Sequence, residues 1–150
     1  MGWENIPDLK APGSLLPNSL FVASPDLLKN RAPLKRAADC LAFPLLHDFN
    51  RQDWPLWFEA QGVDTPHAKK GPAFSESHLI VRAAVAGQGL ALVRDIYVDD
   101  DLRSQRLVKA LTVKWPAQFA YYAVATSAAL QKPAVRRFRD WLVEEARRGI

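Results

Sequence analysis

Residues 74–93 read FSESHLIVRAAVAGQGLALV, and their pattern sets the fold class. Two serines flank Glu76 ahead of an apolar stretch of helical length (Leu79, Ile80, Val81, Ala83, Ala84, Val85). A helix is therefore predicted over about Glu76–Ala86, with Ser75 or Ser77 as its cap. A helix apolar nearly all round has to be covered on several sides, which sets it against a sheet. Gly87 can take the left-handed conformation that closes a helix, and Leu90–Val93 then reads as a fully buried strand. Helix, tight turn and strand within 20 residues are part of an α/β layer structure.

The alternation extends in both directions. Ala73–Phe74 reads as a brief strand delivered by a loop over 63–72, which carries Pro66, Lys69, Lys70, Gly71 and Pro72. Before it, Asp53 is the expected cap of a helix with Pro55 in its first turn. Trp54, Trp57, Phe58 and Gln61 share its buried face, and Gly62 ends it. Leu45–Asp48 is a strand entering a loop at Phe49-Asn50-Arg51, and a short helix is expected over Leu34–Leu41. Leu20–Ala23 is a strand ending at Ser24-Pro25-Asp26, a helix start with cap, first-turn proline and acidic residue in order. Residues 1–18, with three prolines and Gly13, read as extended or looping. Downstream, a helix is expected over Asp95–Ser104, an edge strand over Arg106–Leu111 and a longer strand over Phe119–Ala125. Pro133 opens a last helix whose apolar stripe is Val135, Phe138, Trp141, Leu142 and Ala146. Strands alternating with helices imply an α/β fold with a mostly parallel or mixed sheet.

The chain has 150 residues, 49% hydrophobic and 24% charged, as expected of one globular domain with a core. The single cysteine, Cys40, rules out an internal disulfide, and the sequence shows neither a signal-like start nor eighteen consecutive apolar residues. A cytoplasmic protein without membrane partners is expected. The formal charge of +4 is concentrated in residues 131–150, where six basic side chains face three acidic ones. Mixed signs on that helix, with no aromatics expected among its arginines on an exposed face, fit a solvated surface better than a nucleic-acid footprint.

Catalytic patterns are missing. His47, His67 and His78 have no metal-ligand spacing. Cys40 lies in an apolar run, where cysteine acts as a small hydrophobe. His47 and Asp48 are adjacent on a strand, point to opposite faces and cannot act as base and orienting carboxylate. No GxSxG, Walker A or GxGxxG sequence occurs, because Gly87-Gln88-Gly89 leaves a helix where a dinucleotide loop would enter one. Neither an enzyme nor a metal or organic cofactor is expected. The remaining candidates are binding groups. Ser75, Glu76 and Ser77 precede a helix whose free N–H groups suit a carboxylate, although simple capping explains the serines equally well. Phe49 and Asn50 follow the Leu45–Asp48 strand at its carboxyl end, where open α/β sheets bind ligands; Trp54 is better explained as core.

The segments LFVASPDLL (20–28), FPLLHD (43–48), DWPLWFEAQGV (53–63), FSESHLIVRAAVAGQGLALV (74–93), DDLRSQRLV (100–108), YYAVAT (121–126) and VRRFRDWLVEEA (135–146) occur in an order that resembles the regulatory domain of LysR-type transcription regulators. They are most similar to the branch that includes the glycine-cleavage activator. None of the segments is diagnostic alone; their order across nearly the whole chain carries the resemblance. It implies a periplasmic-binding-protein-like (type 2) fold of two α/β lobes with a small effector between them. It divides the chain into a remnant of the first lobe and crossover (1–19), a second lobe (20–115), and a return strand with the closing helix of the first lobe (116–150). By the same resemblance the sequence lacks the family's helix-turn-helix and most of its first lobe, so DNA would be reached only through that missing part. The expected effector contacts are His47, Asp48, Phe49, Asn50, Ser75, Glu76, Ser77 and Tyr121, toward an amino-acid-like or carboxylate ligand. An unpartnered stripe on the last helix makes a homodimer, or pairing with a paralogous regulator, the alternative role.

Overall fold

In the computed structural model of the chain, residues 9–10, 14–15, 18–113, 115–116, 121–122 and 124–148 are described. Two compact units are present, Asn18–Pro116 and a second built from the described residues on either side of it.

The larger unit is built on a six-stranded mixed sheet. Its strands are β3 (Asn18–Ala23), β4 (Leu45–Asp48), β5 (Ala73–Phe74), β6 (Leu90–Arg94), β7 (Val108–Lys109) and β8 (Trp115–Pro116), after the short β1 (Leu9–Lys10) and β2 (Ser14–Leu15) of the other unit. The order is β5-β4-β6-β3-β7, with β8 also pairing with β3. β4 is parallel to β5 and to β6, in the registers His47↔Ala73 and Leu45↔Leu90, whereas β3 runs antiparallel to β6. Both faces of the sheet are covered, so β3 is apolar without interruption over Leu20–Ala23 and β6 over Leu90–Val93. Phe21, Ala23, Leu45, Leu90 and Leu92 face one way, into a core with Cys40, Phe43 and the aromatics of α2 (Asp53–Ala60). Leu20, Val22, Leu46, Ala91 and Val93 face the other, against Ile80, Val81, Ala83 and Ala84 of α3 (Ser77–Val85).

The local signals act as follows. The Ser24 hydroxyl accepts from the Leu27 N–H at 3.2 Å, with Pro25 opening α1 (Pro25–Leu28). Gly87, at φ +75°, closes α3: its N–H donates to Ala84 and that of Gln88 to Ala83, both at 3.0 Å, so two otherwise orphaned carbonyls are satisfied. Gly62, at φ +69°, closes α2. Within α2, Trp54, Trp57 and Phe58 are buried, while Gln61 is exposed beyond the helix end.

Several expectations change. Residues 37–42 form a 3₁₀ helix (Ala37–Ala42) and not an α-helix over 34–41; Asp39 ties the backbone N–H groups of Lys35 and Arg36 at 2.9 Å and holds the approach extended. Asp53 is the first residue of α2 and Gln52 its cap. The cap of α3 is Glu76, so Ser75 stands one place too early and Ser77 one too late, and neither side chain caps the helix. α3 is covered by the sheet and by Val98 and Leu107 beside it, but not all round, with Leu79 36% exposed. The helix expected over 95–104 is split into a 3₁₀ turn (Asp95–Tyr97) and α4 (Asp99–Arg103), and the edge strand over 106–111 is reduced to β7. The loop over 63–72 contains a 3₁₀ turn, Pro66–Lys69, capped by Thr65.

In the other unit β1 pairs antiparallel with β10 (Ala125–Thr126), and β2 with β9 (Tyr121–Tyr122). Of the long strand expected over 119–125, residues 119, 120 and 123 lie outside the described residues. Thr126 caps α5 (Ser127–Leu130) through its hydroxyl at 3.1 Å from the Ala129 N–H, and α6 (Pro133–Arg148) follows. On α6 Phe138 and Trp141 are 61% and 54% exposed, with ring centroids 5.8 Å apart.

Candidate functional site

β4, β5 and β6 run the same way, so their carboxyl ends open at one sheet edge, where open α/β sheets take ligands. The antiparallel β3 begins there, with Ser19 opposite Arg94 and the Asn18 N–H donating to Asp95 Oδ2 at 3.2 Å. Three segments meet at this edge: the turn after β4, the start of α3 after β5, and Arg94-Asp95 at the end of β6.

The turn after β4 is tightly made. The Arg51 N–H donates to the Asp48 carbonyl at 3.2 Å and to Asp48 Oδ1 at 2.9 Å, and Arg51 itself is left-handed at φ +53°. Its geometry pushes Phe49 outward to 79% exposure, with Asn50 exposed beside it. After β5, Ser75 and Glu76 are exposed and Ser77 half-buried; Glu76 Oε2 lies 3.9 Å from His78 Nδ1. The side chains of Asn50, Ser75 and Ser77 make no described hydrogen bond, which leaves them available to a ligand.

His47 is placed differently from its neighbours. Its imidazole is 2% exposed, and Nε2–H donates to the Lys70 carbonyl at 2.9 Å. With the proton assigned there by its partner, the buried Nδ1 has no hydrogen-bond partner. Burial holds the ring's pKa below the ordinary histidine range, the Arg51 charge adds to this, and the Lys70 carbonyl and Asp48 oppose it. His47 therefore lies beneath the edge, not on it. Tyr121 stands on β9 of the other unit, opposite Leu15, and its side chain lies outside the described residues. Trp54 is core, 1% exposed, with its indole N–H donated to the Leu46 carbonyl at 2.9 Å.

The structure adds residues that the sequence did not mark as site candidates. Arg94 and Asp53 approach the same edge, and burial raises the Asp53 pKa, with Asp48 adding to the rise and Arg94 opposing it. Asn18 joins through Asp95. A sequence signal existed for Arg94 and Asp95, since both follow a strand read as parallel; none existed for Asn18, whose place depends on β3 being antiparallel. A groove of about 660 Å³ lined by Pro55, Phe58, Val63, Pro66, Ala68 and Lys69, among others, contains none of the candidate residues. The sheet edge has the polar groups and the topology, which makes it the candidate site.

Over residues 16–147 the chain matches the family described as LysR substrate binding domain. It is 30% identical over 145 residues to the glycine cleavage system transcriptional activator of Escherichia coli (strain K12), covering 97% of this chain and 48% of that protein. It is 36% identical over 111 residues to the HTH-type transcriptional regulator TrpI of Pseudomonas aeruginosa, covering 73% of this chain and 37% of that protein. Among solved structures it is similar to the AmpR effector binding domain from Citrobacter freundii, with a TM-score of 0.72 and 26% identity over 98% of this chain and 72% of that one. The chain thus spans about half the length of the first of these relatives. The proteins it matches are transcription regulators of the LysR family and not enzymes, and the fold is that of their effector-binding domains.

Proposed function

The chain belongs to the LysR substrate-binding domain family, and from that membership we propose that it senses a small effector at the carboxyl edge of β4, β5 and β6. The supporting observation is the convergence of Asp48, Phe49 and Asn50 with Ser75, Glu76 and Ser77 on that edge, where parallel strands deliver both loops. His47 supports the first loop from below. The ligand is amino-acid-like or a small carboxylate: exposed hydroxyl and amide groups suit its polar atoms, while Asp48 and Glu76 favour one that also carries an ammonium group. Transcriptional control, a cytoplasmic location and DNA contact through a helix-turn-helix belong to this proposal as properties of the whole regulator; no described helix is long and apolar enough to cross a membrane.

The test is an amide chemical-shift titration with a panel of amino acids and small carboxylates. Perturbations gathered at residues 48–50, 75–77 and 94–95 are expected. Shifts confined to the groove at 62–69, or none with any member of the panel, would refute this ligand class at this edge.

One further observation favours a second role. Phe138 and Trp141 form an exposed apolar pair on a helix rich in charge, as an association face does. On this reading the chain pairs with a second copy or with a related regulator through α6. Sedimentation should then show concentration-dependent association that Trp141→Ser abolishes; a monomer at all concentrations would rule it out.

A further inference from the structure

β5 has two residues, lies at the edge of the sheet and, among the described residues, pairs only with β4, yet it sets the start of α3. So short a ladder holds little by itself. What holds the approach to β5 is a set of bonds from the end of β4. The carbonyls of four successive residues, Lys69 to Pro72, each accept one. Arg51 Nη1 donates to Lys69 and to Gly71, both at 2.8 Å; His47 Nε2 donates to Lys70 at 2.9 Å and the His47 main-chain N–H to Pro72 at 3.0 Å. Gly71, at φ +129°, lets this segment lie flat on β4: a Cβ there would stand 2.0 Å from the Leu45 carbonyl oxygen.

The two ends of this strap are the two loops of the edge. Arg51 closes the turn that carries Phe49 and Asn50, and Pro72 leads through β5 into Ser75, Glu76 and Ser77. We propose that Arg51 and His47 are positioning residues that lock these loops to each other, so that residues 48–50 and 75–77 keep one spacing and move as one body. A ligand that orders either loop then meets the other already placed, which lowers the entropy lost on binding. Describing the loops as ligand-facing rests on the function proposed above; the strap does not.

Amide hydrogen exchange without ligand tests it, on the native chain and on Arg51→Ala and Arg51→Lys. Arg51→Ala should speed exchange at the amides within 70–74 (Lys70, Gly71, Ala73 and Phe74) about tenfold or more while leaving Leu90–Val93 in β6 unchanged. It should also shift the resonances of Phe49, Asn50 and Ser75 together. Arg51→Lys should recover part of the protection, because one ammonium can still reach one of the two carbonyls. Equal acceleration in β6, no change at 70–74, or a lysine variant no better than alanine would overturn the proposal. Should Arg51→Ala not fold, Arg51→Lys measured against the native chain carries the test, with several-fold faster exchange expected at 70–74 alone and no difference counting against it. A ligand titration that fails leaves these outcomes unaffected, so the two proposals fail separately.

Discussion

Replacing Gly71 with alanine should destabilise the protein far more than the same change at Gly62, although both glycines have positive φ. At Gly62, φ is +69° and nothing lies within 4 Å of an added Cβ, so only the left-handed backbone cost applies. That cost is about 1–2 kcal/mol. At Gly71, φ is +129° and the added Cβ would stand 2.0 Å from the Leu45 oxygen and 3.1 Å from the Leu45 carbon. Both obstacles are main chain in a central strand and cannot step aside. The segment must therefore lift by about 1 Å to reach an allowed contact, which stretches the bonds now at 2.8 Å (Arg51 to Gly71), 2.9 Å (His47 to Lys70) and 3.0 Å (His47 to Pro72). Each such bond is worth about 0.5–1.5 kcal/mol net. Together with residual backbone strain of about 1–3 kcal/mol, the loss should be about 3 kcal/mol or more. Urea unfolding followed by tryptophan emission reads it, since Trp54 and Trp57 are each 1% exposed in the core. A loss at Gly71 no larger than at Gly62 would refute the close-approach argument.

Two serines that look alike in sequence should behave differently: Ser24→Ala removes a cap and should cost about 1 kcal/mol, whereas Ser77→Ala should stay within about 0.5 kcal/mol, both by urea midpoint. Because the folded pKa of His47 lies below its ordinary 6.5, the unfolded chain binds the proton more readily. The stability it contributes is therefore complete above about pH 6.5 and is lost as pH falls through the lower folded value. His47→Gln should flatten that fall. Asp53 has the opposite sign, its raised pKa costing stability as pH rises from 3.8 through the folded value. Its slope should persist in the His47 variant and disappear in Asp53→Asn. Burial, with a contribution from Asp39, pushes the Cys40 thiol up to about 12, so a thiol reagent near neutral pH should label the unfolded chain and not the native one. Rapid native labelling would show that Cys40 is accessible.

What the sequence determined by itself is what neighbouring residues settle among themselves. Ser24-Pro25-Asp26 opens a helix, Gly87 closes one, and the unbroken apolar runs at Leu20–Ala23 and Leu90–Val93 become strands covered on both faces. Each outcome depends on a few adjacent side chains and a backbone angle, so it is legible locally, and the order of such segments was enough to place the chain in its family. The candidate edge was only half legible. Its two loops follow strands read correctly, but their meeting depends on β4 lying between β5 and β6 and parallel to both, a long-range pairing that periodicity does not report.

Tertiary structure alone decided where the ambiguous side chains go. The cap position of α3 fell on Glu76, between two serines each suited to it, because the chain leaves β5 extended through that residue, at φ −132° and ψ +136°. His47, on a strand end that looks open in sequence, is buried because a loop more than twenty residues later folds over it and offers the Lys70 carbonyl. Arg51, read in the sequence only as part of a loop, finds two carbonyls of the segment that covers His47. Backbone carbonyls carry no sequence signature, so a side chain whose partner is a distant main-chain oxygen can be assigned only once the chain has folded.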